Sequence, residues 1–63
     1  MIVDFYKLGP QRIQAIERTT GRQIGGFYPG IESAKGGVLQ HARAACVEQV
    51  VPEPGAIEAW ETA

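Results

Sequence analysis

Sixty-three residues with a formal net charge of −1 make one domain without the bulk basic excess of a typical nucleic-acid binder. A chain this short hides only ~60 % of the surface its unfolded form exposes, so its core is marginal. One cysteine and one histidine exclude an intramolecular disulfide and an all-protein zinc site of four Cys or His ligands, which leaves oligomerisation or a partner as the expected source of extra stability.

The first element expected is a strand over residues 2–8. "IVDFYKL" is dense in β-branched and aromatic residues and is closed by Gly9-Pro10. Alternation sets Val3, Phe5 and Lys7 on one side and Ile2, Asp4, Tyr6 and Leu8 on the other. Each side mixes apolar with polar residues, so the pattern alone does not choose the core face. The start "MIVDFYKLG" has no cationic region followed by a long apolar run. No secretory signal is therefore expected, and a cytoplasmic setting is.

Residues 11–20 read two ways. Pro10 at a first helical position and Gly21 just past an end would punctuate a helix, with Ile13 and Ile16 sharing a face. The same residues can form a strand (12–18) turning through "TTG", whose glycine takes positive φ, into a third strand at 22–28. Three features favour the hairpin. The isoleucine stripe is thin for a three-turn helix. Strand 2–8 needs a neighbour for its backbone. Gly25 and Gly26 beside Phe27 and Tyr28 suit a bulged strand. The alternative is a β-α-β-α order with 11–20 helical.

"YPG" ends the sheet region, because Pro29 has no N–H for a ladder. After it the period becomes helical. Val38 or Leu39, Ala42, Cys46 and Val50 fall on one stripe, predicting a helix over about 38–51 closed by Pro52 and Pro54. Gly36-Gly37 is expected to delay its start. The fold class that follows is α+β: a three-stranded antiparallel meander packed by one helix. Residues 1–52 are read as one α+β domain and residues 53–63 as a short acidic tail, since Glu53, Glu58 and Glu61 meet no basic residue there.

No constellation points to catalysis. His41 and Cys46 stand five apart in the predicted helix and point in different directions, so a Cys–His nucleophile pair is disfavoured. Cys46 is read as a small buried hydrophobe and His41 as a partly exposed helix residue. "GGFYPG" and "KGG" match neither phosphate-cradling glycine motif. No enzyme activity, cofactor or metal is expected.

Basic residues among aromatics carry more weight. In the hairpin reading Arg12, Arg18 and Arg22 gather on paired strands, with Phe5, Tyr6, Phe27 and Tyr28 on the flanking ones. Rings with cations on a sheet are how many single-strand readers work. Trp60, in a short terminal segment, is a second candidate anchor, since tryptophan is enriched at interface hot spots.

Two resemblances are local. Three strands, then "FYPGI" and a helix, are similar to small antitoxin-type domains of the HicB family, where a Pro-Gly turn after the third strand leads toward a helix. "IQAIERTTG" and "GIESAK" resemble pieces of the helical part of a ribosomal stalk protein's C-terminal domain, where they adjoin; here "RQIGGFYP" separates them. Both are too short to carry a function over.

The expectation is thus a small non-catalytic binding protein that modulates a protein partner or an assembly, in the manner of phage or mobile-element accessory proteins. Arg12, Arg18, Arg22, Tyr28 and Trp60 are its candidate contact residues, and self-association into a homo-oligomer is expected. A nucleic-acid module using the same basic face is the alternative. No membrane partner is expected.

Overall fold

A computed structural model describes residues 1–43 and 47–62. It runs β1 (Ile2–Gly9), β2 (Arg12–Glu17), β3 (Gln23–Tyr28), α1 (Ile31–Ala42), β4 (Val47–Val50) and β5 (Glu58–Thr62). The strands form one antiparallel sheet in the order β3-β2-β1-β5-β4. The protein is a small α+β fold, and its first three strands are the meander that the alternation predicts.

Residues 11–20 take the hairpin. Gly21 sits at φ 75° and its N–H donates to the Glu17 carbonyl at 2.8 Å, while Glu17 N–H donates back to Arg22 at 2.8 Å. Positive φ is the conformation glycine reaches without a Cβ penalty, so this turn outcompetes a helix carrying only two isoleucines on its stripe.

The helix stands earlier than the stripe predicts. It occupies Ile31–Ala42 instead of 38–51, and Val47–Val50 is a strand. Two glycines inside a helix weaken it locally, but Tyr28 compensates. A Cβ built on Gly37 would lie 2.5 Å from the Tyr28 ring, so the glycine is what lets the tyrosine pack under the helix. Arg43, left-handed at φ 53°, ends the element, its N–H turned to the Gln40 and Leu39 carbonyls. The Val38 and Ala42 part of the stripe is helical and Val50 lies in β4. Cys46 lies outside the described residues.

Within the acidic terminus, Glu58–Thr62 is a strand of the same sheet. β5 inserts between β1 and β4, pairing Val3 with Trp60 and Asp4 with Ala59. Pro52 and Pro54 fall in the β4–β5 connection, where missing N–H groups cost no ladder bond.

Burial settles which side of β1 faces inward. Val3, Phe5, Ile13, Ala15, Ile24, Ala34 and Val38 form the core, with Tyr28, Ile31 and Trp60 packed against it. α1 lies over β1, β2 and β3 on that side. No helix among the described residues lies over the opposite side of the same three strands. Among the described residues no helix is long and apolar enough to cross a membrane.

Candidate functional site

The helix-free side is the region that the fold leaves open. Register builds it row by row. Tyr6 pairs with Gln14 and Gln14 with Phe27, so these three side chains form one row across β1, β2 and β3. Phe27 is 45 % exposed and Leu8 54 %. Arg12 lies over Phe27, its guanidinium carbon 4.1 Å from the ring centroid. Gln14 Nε2 donates to Gln23 Oε1 at 3.0 Å, tying the row to the next one.

The β4–β5 connection walls this surface beyond Tyr6. Its Gly55 stands about 4.0 Å from the Tyr6 ring, measured from where a Cβ would sit. The wall is fixed from beneath. Asp4, only 1 % exposed, accepts from Arg18 Nε at 2.9 Å and from Arg18 Nη2 at 2.7 Å, and accepts the Glu53 N–H at 3.1 Å. Arg18 Nη2 also donates to the Val51 carbonyl at 2.8 Å, and Glu53 stands 3.4 Å from Arg18 Nε. One carboxylate and one guanidinium thus join β1, the β2–β3 turn and the β4–β5 connection. The Arg18 hydrogen bonds hold the Asp4 carboxyl below the usual carboxylate range, against the opposing pull of burial, with the Glu53 N–H helping. Arg18 is correspondingly raised by Asp4.

The five candidate contact residues divide among several environments. Arg12 is exposed on the open side beside Phe27. Arg18 is bound by Asp4, so its charge is compensated internally. Arg22 is exposed in the β2–β3 turn, its N–H donating to Thr20 Oγ1 at 3.3 Å. Tyr28 faces the core, its hydroxyl donating to the Ile24 carbonyl at 3.0 Å. Trp60 also packs on the core, with Lys35 Nζ 4.3 Å from its ring and its indole N–H donating to Glu58. Lys35 completes that cluster with a 2.9 Å ion pair to Glu58. Burial, the largest single influence on Glu58, pushes its carboxyl up; Lys35 and the Trp60 N–H together outweigh it and leave it lowered.

The arginines therefore do not make a common basic patch. Register sets Glu48 and Glu61 opposite one another on the same side as Asp4, and Glu53 adjoins Arg18 there. Carboxylates outnumber cations on that half of the surface. Gln14 is brought to the open side by alternation once Val3 and Phe5 are known to face the core, and Leu8 stands exposed at the register shift between Lys7 and Gly9, next to Gly9, which pairs with Arg12. His41 is exposed on α1. Among the described residues no group of three His, Cys, Asp or Glu side chains is placed to hold a metal ion. Comparison with protein-family models, with curated proteins and with solved structures finds no match.

Proposed function

We propose that the protein is a small non-catalytic binding protein whose helix-free sheet surface seats a protein partner and modulates it or its assembly. The observation that carries the reading is the row Tyr6–Gln14–Phe27 with Leu8 and Arg12 beside it. Apolar side chains left half open, rimmed by amides and one stacked arginine, have the make-up of an interface core with a polar rim. Arginine and tyrosine are over-represented among residues that dominate binding energy. A second copy of the chain is within the class of partners, consistent with the marginal core of so short a domain. The reading extends to a cytoplasmic setting and an accessory role of the kind small phage and mobile-element proteins fill, on grounds of size and a single thiol.

The test is a photo-crosslinking amino acid placed at Leu8, compared with the same group at Gln40 on the exposed side of α1. A discrete adduct formed at Leu8 and absent at Gln40 supports the reading. Equal labelling, or none at either position, overturns it.

The ring row also favours a second reading, a single-stranded nucleic acid stacked on Tyr6 and Phe27. The carboxylates Glu48, Glu53 and Glu61 on the same half oppose a polyanion. Anisotropy of labelled oligonucleotides at low and moderate salt separates the two. Binding that weakens steeply with salt installs the nucleic-acid reading, and no binding at low salt removes it.

A further inference from the structure

The geometry of the open row points to the partner segment itself: we propose that it seats a left-handed polyproline II segment with prolines three residues apart and a carboxylate beside one of them. This rests on the reading of the open side as a protein-binding surface. Tyr6 and Phe27 occupy one row with a single strand between them. Neighbouring strands lie about 4.7–4.9 Å apart, so the backbone positions that carry the two rings stand roughly 9.5 Å apart along the row. Polyproline II rises about 3.1 Å per residue and repeats every three, which gives about 9.3 Å between successive prolines on one side. A segment laid across the strands therefore sets one proline on each ring.

The residue between the rings fits the same ligand. Polyproline II makes no internal hydrogen bonds, so its carbonyls all need donors. Gln14 spends one N–H on Gln23 at 3.0 Å and, as a primary amide, carries a second. The Tyr6 hydroxyl is a further donor at the walled end. Aromatic-lined grooves with interspersed donors are the general means of recognising this conformation, because its stiffness lowers the entropy lost on binding.

Charge sets the direction. Arg12 is held at the Phe27 end of the row by the 4.1 Å stacking contact, whereas Glu53 stands in the β4–β5 connection and Glu48 and Glu61 on β4 and β5, on the far side of β1 from Phe27. A partner carboxylate is attracted next to Phe27 and repelled at the far end, so an acidic residue flanks the proline on Phe27. Arginine stacked on a ring keeps its outer N–H groups for such a carboxylate.

The test uses synthetic acetylated peptides titrated into the intact 63-residue protein, read by backbone amide NMR shifts. The probe has the order Glu-Pro-Ala-Ala-Pro, and its control has four residues between the prolines. Saturable shifts centred on Tyr6, Gln14 and Phe27 are expected for the probe, with the control at least several-fold weaker. Phe27→Ala and Tyr6→Ala, each checked for an unchanged fold, are expected to weaken the probe by about tenfold, the scale of one lost ring contact. Arg12→Gln is expected to abolish the preference for Glu over Gln in the flank and leave the remaining binding intact. Equal binding of probe and control, or no saturation at millimolar peptide, overturns the inference. If an adduct still forms at Leu8 in that case, the surface binds protein of another conformation and only the polyproline assignment falls.

Discussion

The two sides of one sheet share strands, and even alternate residues, yet they obey different rules. On the covered side Val3 and Phe5 are fully enclosed in a core to which the helix above adds Ala34 and Val38. On the open side the adjacent residues Asp4 and Tyr6 meet no helix, and order there comes from polar bonds. Asp4 is as buried as Phe5, but an arginine and a connecting segment bury it in place of apolar packing. Covering a sheet therefore takes two forms here. One is bulk hydrophobic contact, and the other is a charged clasp that buries Asp4 beside Ala59 while Phe27 and Leu8 stay exposed.

The largest effect that tests this contrast is truncation on either side of β1–β3. Phe5→Ala is expected to cost about 3–5 kcal/mol, because the ring is fully buried and its removal leaves a cavity. That is a large share of the stability a domain of this size has. Phe27→Ala removes a ring of the same size from the open side and is expected to cost about 1 kcal/mol or less, mostly its contact with Arg12. Denaturant melts of the two variants measure the difference. Equal losses would mean that the open row is part of the core.

The next effect separates two adjacent glycines of α1. At Gly37 a methyl group meets the Tyr28 ring, so Gly37→Ala is expected to destabilise by about 1–3 kcal/mol, as overpacking does. At Gly36 the added Cβ meets nothing within 4 Å, and Gly36→Ala is expected to stabilise by up to about 1 kcal/mol through helix propensity. Opposite signs at neighbouring positions, read as melting-temperature shifts, confirm that Tyr28 fixes the helix on the sheet. A gain at both would sink that account.

These pairs also show what was legible in the residues. The meander was readable because β-branched density, Gly-Pro and Thr-Thr-Gly punctuation are local signals that tertiary packing reinforces. The helix begins earlier than its stripe predicts, and the packing of Tyr28 against Gly37 comes from another element that no local propensity reveals. Val47–Val50 kept a helical period by coincidence, and pairing with β5 decided it. Of the site, the ring-and-arginine composition was visible, but its division into two sides was not. Both sides of β1 mix apolar and polar residues, and Asp4, on the side away from the core, is buried there by Arg18 and the β4–β5 connection. Strand order is what separates the clasping Arg18 from the exposed Arg12.

The clasp itself supplies a pH-dependent test. Asp4 is held below its ordinary carboxylate value in the folded protein, so folding favours its ionised form. That stabilisation is fully present above the unfolded value of about 3.9 and is lost as pH falls through the folded one. Stability is thus expected to be insensitive to this group between pH 7 and pH 5 and to decline below about pH 4. Asp4→Asn cannot ionise, so it is expected to be less stable at neutral pH and to approach the parent as the medium becomes strongly acid. Glu58, also lowered, adds a parallel acid limb, and the Glu58→Gln background isolates the share due to Asp4.

The smallest effect concerns Trp60, and it asks whether that side chain belongs to the covered side in energy as well as in place. Its ring packs on the core, lies beneath Lys35 and pairs across the sheet with Val3. Lys35→Met removes the cation over the ring and the ion pair to Glu58 while keeping most of the aliphatic stem. A loss of roughly 0.5–1 kcal/mol is expected, since both interactions are partly solvated. The loss is expected to shrink in high salt, because screening weakens the ion pair and leaves the packing untouched. Tryptophan fluorescence during the melt reports the same residue directly. If Lys35→Met left both stability and emission unchanged, the cluster would be a surface decoration, and Trp60 would return to the pool of residues open to a partner.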